Sequence, residues 1–253
     1  MELYYQSYGS GFPLIVLHGL FGSSDNWQPV AKKLGARFEV LTVDLRNHGR
    51  SPHSEEFDYT VMAEDLREFM AQRGFARAHF LGHSMGGKVA MEFALRHPTL
   101  VTKLVVVDMA PKVYPPSHVP LFEATLALEL DSFRERGEID KALATKILDT
   151  RVRMFLLKNV GRDYSGKFKW KLNLPAIYRN YPKLKEAIES DRTFDGPVLF
   201  VKGGKSDHIL AEDAARITSL FPKAQVEELA RAGHWVHADD PEGLARLLEE
   251  FLG

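Results

Sequence analysis

Short, apolar and β-branched runs alternate with stretches of helical spacing over residues 1–110 and again over 191–253. The runs are Leu14–Leu17, Phe38–Val43, Ala78–Leu81, Leu104–Val107, Val198–Val201 and Ala224–Leu229. Runs without polar alternation need cover on both faces, so they predict a mostly parallel central sheet flanked by helices, an α/β fold. The crossing helices are predicted at Trp27–Leu34, Val61–Arg73, Lys88–Arg96, Glu212–Leu220 and Pro241–Leu252, where apolar residues recur at helical intervals. Glu2 to Tyr8 alternates loosely and predicts an antiparallel edge strand. Between 111 and 190 the strand rhythm stops. Helical patterns at Val119–Leu130, Ile139–Lys158 and Pro175–Glu189, separated by prolines and glycines, predict a helical cap inserted into the core. The expected organisation is therefore a first core segment (1–110), a helical cap (111–190) and a second core segment (191–253).

Composition narrows the function classes. A net charge of −1 with no long block of like charge leaves no electrostatic footprint for nucleic acid. The basic residues of the insertion's second half, among them Arg151, Lys158, Lys169 and Arg179, read as a solvated helix surface. No stretch reaches the roughly 18 apolar residues of a membrane span, and the first residues, Met1-Glu2-Leu3-Tyr4, carry no signal-peptide pattern. The expectation is a cytoplasmic protein that engages neither membranes nor nucleic acid; the oligomeric state is left open. The absence of cysteine excludes disulfides, a thiol nucleophile and thiolate metal ligands.

One string carries chemistry. Gly82-His83-Ser84-Met85-Gly86 places a serine where a strand pattern gives way to a helix pattern. Such a string arises by chance in roughly one chain in ten of this length, so its placement matters more than its letters. At a strand-to-helix turn the serine must adopt a sharp backbone bend that lifts its hydroxyl clear and puts a helix N-terminus beside it. Serine needs a base, which a neutral imidazole supplies near neutral pH. His234, in the loop after the last strand, is the expected base and His237 a structural neighbour, while His18 and His83 shape the pocket. The base needs a carboxylate to hold its tautomer. Two aspartates end strands in suitable places, Asp108 after the fourth main run and Asp207 after the fifth. The order serine, acid, histidine is the one that α/β-hydrolases use. For the oxyanion, the backbone N–H of Met85 and that of Leu20, with Phe21 in reserve, are the expected donors.

Together His18-Gly19-Leu20-Phe21-Gly22, Asp44 through Ser51, Gly82 through Lys88, Asp108-Met109-Ala110-Pro111, Phe155 through Lys158 and Ala232 through His237 closely resemble the compact YbfF-type esterases of the α/β-hydrolase superfamily. The resemblance implies an α/β-hydrolase fold with the cap inserted after the sixth strand of the superfamily's standard order. It further implies a serine carboxylesterase acting on small acyl esters of short chain length through an acyl-enzyme, without metal or organic cofactor. It favours Asp108 as the acid, whereas superfamily geometry favours Asp207, and both stay open. Thioester or carbon–carbon bond hydrolysis on the same triad is the enzymatic alternative, and a small-molecule receptor with a vestigial triad the non-enzymatic one. Phe122, Phe155, Trp170 and Tyr178 are candidates either for pocket lining or for the core of the cap.

Overall fold

The computed structural model describes residues 1–253. Seven strands form the main sheet: β1 (Tyr5–Tyr8), β2 (Phe12–Leu17), β3 (Phe38–Val43), β4 (Ala78–His83), β5 (Val101–Val107), β8 (Val198–Gly203) and β9 (Ala224–Leu229). A short hairpin of β6 (Val160–Arg162) and β7 (Phe168–Trp170) lies in the insertion. Sheet order is β1-β3-β2-β4-β5-β8-β9, with β1 antiparallel and every other neighbour parallel. From β2 the chain goes first outward to β3 and then to the other side through β4, β5, β8 and β9. The direction of winding therefore switches between β2 and β4, which opens a crevice at their carboxyl ends.

Both faces of the sheet are buried over its central strands β2, β3, β4, β5 and β8, as their apolar runs require, whereas the edge strand β9, with Gln225, Glu227 and Glu228, has no buried residue. Leu81, Val105 and Val107 pack on one face against α1 (Gln28–Leu34) and α10 (Pro241–Leu252), through Val30, Leu34, Leu244 and Leu248. Phe80, Leu104 and Val106 pack on the other against α2 (Tyr59–Arg73), α3 (Met85–Arg96) and α8 (Ala214–Leu220), through Met62, Leu66, Val89, Phe93 and Ile217. A last short helix, α9 (Val236–Asp239), precedes α10. No helix is long and apolar enough to cross a membrane.

The insertion between β5 and β8 departs from its sequence pattern in three places. The single pattern over Ile139–Lys158 forms two helices, α5 (Arg136–Ala144) and α6 (Thr150–Leu157). Asp149 causes the break: its carboxylate accepts from the N–H of Arg151 at 2.7 Å and so starts a new helix. Next comes the hairpin, whose turn is folded around Asp163, with its Oδ1 accepting from the N–H groups of Ser165 and Lys167. The insertion is thus helical with one small sheet rather than helical throughout. Finally, α4 (Val119–Leu126) and α7 (Leu174–Lys185) stop short of Leu130 and Glu189.

Lys88, in α3, joins the two stems of the insertion to the core. Its buried ammonium donates to the carbonyls of Lys112 (2.8 Å) and Glu186 (2.5 Å), at the segment's entry and exit. Burial lowers its pKa to about 7.

Candidate active site

Four non-glycine residues have positive φ, namely Phe21 (59°), Asn47 (66°), Ser84 (53°) and Asp108 (50°). Each follows one of the four neighbouring parallel strands β2, β3, β4 and β5, so the strained backbone gathers along one edge of the sheet. Such conformations persist only where the surroundings impose them. At Ser84 the imposition is a tight crossing of backbones. A Cβ on Gly82 would lie 2.1 Å from the Gly86 carbonyl oxygen, and one on Gly86 would lie 2.5 Å from the His18 carbonyl oxygen. The two glycines let β4, the start of α3 and the end of β2 converge. Ser84 itself is held by its N–H, which donates to the Val107 carbonyl at 3.1 Å.

Met85 is the first residue of α3. First-turn N–H groups have no partner inside their helix, so that of Met85 is free to meet a ligand beside Ser84. Leu20, after β2, lines both cavities that border Ser84. Phe21 lines the larger of the two; its ring packs on Phe122 at 4.8 Å and its carbonyl accepts from Asn159 Nδ2 at 2.7 Å.

His234 Nδ1 lies 2.7 Å from Asp108 Oδ2, and the Asp108 side chain is fully buried. The positive φ of Asp108 turns that carboxylate under the loop that follows β9. Its Oδ1 accepts from the Gly203 N–H at 2.9 Å and its Oδ2 from the Ser206 hydroxyl at 2.5 Å. Burial raises the Asp108 pKa, and these two hydrogen bonds oppose the rise. Burial also pushes His234 down to about 3, with His118 and His237 acting in the same direction and Asp207 against it. A carboxylate that accepts at Nδ1 fixes the tautomer and leaves the Nε2 lone pair for the cavity it shares with Ser84. No hydrogen bond joins the Ser84 hydroxyl to that ring; in sites without substrate this contact is often long.

Asp207 does not reach His234. Its side chain is 94% exposed, and it lies 3.6 Å from His208 Nδ1 rather than against His234. The loop instead delivers the residues on either side. Ser206 reaches Asp108, and the His208 ring stacks on that of His234 with centroids 3.7 Å apart and planes within 16°. Neither Ser206 nor His208 stands out in the sequence, because the aspartate between them occupies the superfamily's acid position. Asp108, His208 and His234 offer ligand atoms within 4.8 Å of one another. Their rings are parallel, however, so the two nitrogen lone pairs run side by side and do not converge on one ion.

The other histidines brace the loops. His18 accepts from the Leu45 N–H through Nε2 (3.0 Å) and sits 2.8 Å from the Gly19 carbonyl through Nδ1, tying the ends of β2 and β3 together. His83 Nε2 lies 2.8 Å from the His234 carbonyl and so holds the loop that carries it. His237 is buried and stacks on Trp27 at 4.7 Å. Burial lowers the pKa of His18, His83 and His237, keeping each neutral.

Of the four candidate aromatics, only Phe155 lines a cavity at Ser84. Phe122 is fully buried and packs on Phe21 and Tyr178; Trp170 lies in the hairpin against the core. Aromatics that recur at helical spacing face inward, and here they fill the insertion rather than the pocket. Asn159 was not foreseen. A buried amide at a helix end gives no sequence signal that its partner lies 138 positions away.

Residues 13–241 match the family model described as the alpha/beta hydrolase fold. The chain is 38% identical over 247 residues to the sn-1-specific diacylglycerol lipase ABHD11 of Mus musculus, covering 94% of this chain and 80% of that protein. It is 32% identical over 248 residues to the esterase YbfF of Escherichia coli, covering 98% and 95%. Among solved structures, a marine microorganism esterase superposes with a TM-score of 0.97 at 40% identity, covering 99% of each chain.

Proposed function

The chain belongs to the α/β-hydrolase family, and on that footing we propose that it is a serine carboxylesterase that hydrolyses short-chain acyl esters through an acyl-enzyme on Ser84. One observation carries the reading: His234 Nδ1 is 2.7 Å from the buried carboxylate of Asp108, in a cavity wall that also holds Ser84 at the start of a helix. Relatives named as esterases and a lipase support the hydrolytic class.

In the first step Ser84 Oγ bonds to the ester carbonyl carbon while His234 Nε2 takes the hydroxyl proton. The carbonyl oxygen gains the electron pair and rests against the N–H groups of Met85 and Leu20. As the intermediate collapses, the bond to the leaving oxygen breaks and His234 returns its proton to that oxygen. The alcohol departs, leaving the acyl group on Ser84. Water then repeats the sequence, with His234 taking its proton, and the carboxylic acid leaves. Asp108 keeps its charge throughout and stabilises the imidazolium at Nδ1, while Ser206 and Gly203 hold the carboxylate in place.

The reading is tested by pre-steady-state turnover of p-nitrophenyl butyrate. The expected trace is a burst of one nitrophenolate per chain in the wild type and none in Ser84→Ala. Equal turnover by both proteins would remove Ser84 from the mechanism.

A further inference from the structure

Ser84 stands between two cavities rather than at the bottom of one. The larger, about 150 Å³, is walled by Trp27, His83, Val152, Phe155, His234 and Trp235. The smaller, about 50 Å³, is walled by Tyr59, Met85, Met109, Tyr114, Tyr181 and Leu184. Leu20, Ser84 and His118 border both.

The reaction itself distinguishes the two spaces. During collapse one imidazole serves two oxygens, receiving the proton of Ser84 and giving it to the leaving oxygen. The leaving group must therefore occupy the cavity that His234 lines, and the attacking water must later enter the same space. The acyl substituent sits on the other side of the carbonyl carbon, facing away from the base. Only the larger cavity has His234 in its wall; the smaller has the Met85 end of the oxyanion site but not the base. We infer that the smaller cavity binds the acyl chain and that Leu184, Met109 and Tyr181 set its length, while the larger binds the alcohol and admits water. The inference rests on the serine-esterase reading above and deepens it.

The walls are suited to measuring length. Tyr59, Met109, Tyr181 and Leu184 are all buried, and the Tyr59 hydroxyl donates to the Leu184 carbonyl at 2.6 Å, fixing α7 against the core. Tyr114 is anchored in the same way, donating to the His208 carbonyl at 2.6 Å and accepting from the Ala110 N–H at 2.8 Å. The phenol oxygens are thus occupied, so the tyrosines offer aromatic faces beside Met85, Met109 and Leu184, and Ser117, Lys185 and His208 also line the space. At roughly 10–15 Å³ for each water-sized occupant, the cavity has room for about four chain atoms. That is the size of a butyryl chain, and the chemical class is an unbranched, uncharged short acyl group. The leaving-group side is wider, with imidazole and indole edges, so it accepts alcohols of varied shape.

The test is a pair of variants read against two substrate series. Wild type, Leu184→Ala and Phe155→Ala are assayed for kcat/KM on p-nitrophenyl acetate, butyrate, hexanoate and octanoate. The same proteins are then assayed on butyrate esters of methanol, benzyl alcohol and 1-naphthol. Removing the Leu184 side chain should raise the octanoate-to-butyrate ratio by about tenfold or more, the usual worth of one or two accommodated methylenes, and leave the ranking of alcohols unchanged. Phe155→Ala should reorder the alcohols and leave the acyl optimum in place. Leu184→Phe gives a second arm that adds bulk, and it should lower butyrate relative to acetate. The opposite pattern, with Phe155→Ala extending the acyl range or Leu184→Ala altering only the alcohols, would overturn the assignment while leaving the esterase reading intact. A wild type equally active on all acyl lengths would overturn both the assignment and the short-chain preference, while leaving hydrolysis on Ser84 in place. Loss of the Ser84-dependent burst in the wild type would remove both together.

Discussion

The sheet edge and the inserted segment meet at the same cavity but build it in different ways. From the sheet edge come Ser84, Asp108, the loop with Leu20 and, behind them, the loop with His234. Three of the four residues at positive φ there belong to or adjoin this machinery. From the insertion come apolar walls such as Leu121, Val152, Phe155 and Leu184, none of which needs an unusual backbone. Proton transfer and oxyanion binding demand placement to fractions of an ångström, which a packed parallel sheet provides. A wall needs only shape, which short helices tied down at two stems provide. One side chain crosses this division, for Asn159 of the insertion holds the carbonyl of Phe21 in the loop proposed to bind the oxyanion.

If the division is sound, removing the core's base should cost most. His234→Ala is expected to lower kcat on the order of 10⁵–10⁶-fold, with circular dichroism unchanged. The next largest effect separates the two aspartates. Asp108→Asn should lower kcat on the order of 10³–10⁴-fold because the imidazole loses its tautomer. Asp207→Asn, at an exposed site, should stay within about twofold. Comparable losses at both positions would contradict the geometry.

Asn159→Leu probes the exception. Releasing Phe21 lets the oxyanion loop drift, and a fall in kcat of about 10–100-fold with little change in KM is expected. An effect confined to KM, or to thermal stability alone, would make Asn159 part of the wall after all. The mildest prediction concerns pH. In the proposed mechanism the base is neutral His234, and activity is lost as pH falls through its pKa. Burial holds that pKa below the ordinary imidazole value, so kcat/KM should stay flat on the acid side well below about pH 6.5. An acid limb centred at or above that value would show a solvated base.

The two regions also differed in what their sequence disclosed. Strands Phe38–Val43 and Ala224–Leu229 and helix Pro241–Leu252 have the bounds that their patterns predict. In Pro241–Leu252 the apolar positions Leu244, Leu248 and Leu252 recur every four residues and all are buried. The insertion was harder to read. Asp149 starts a helix inside a stretch whose apolar spacing runs on without a break, and the strands of the hairpin are three residues long, too short to show alternation. Within the site, the proposed nucleophile Ser84 and the proposed base His234 stand out in the sequence because each lies in a short motif with recognisable flanks. The carboxylate that meets His234 does not stand out, because Asp108 and Asp207 end neighbouring strands in similar loops. What separates them is the direction in which each side chain points, set at Asp108 by φ = 50° and the hydrogen bonds from Gly203 and Ser206. No local pattern encodes that.

The claim on which the rest depends is that the core carries a covalent intermediate on Ser84. Acid-quenching the protein a few milliseconds after mixing with p-nitrophenyl butyrate, followed by peptide mass mapping, addresses it directly. The account predicts a butyryl group on Ser84 in the wild type, accumulating before the steady state, and no adduct in Ser84→Ala. An adduct on a different residue, or hydrolysis at full rate with no adduct in the wild type, would contradict it.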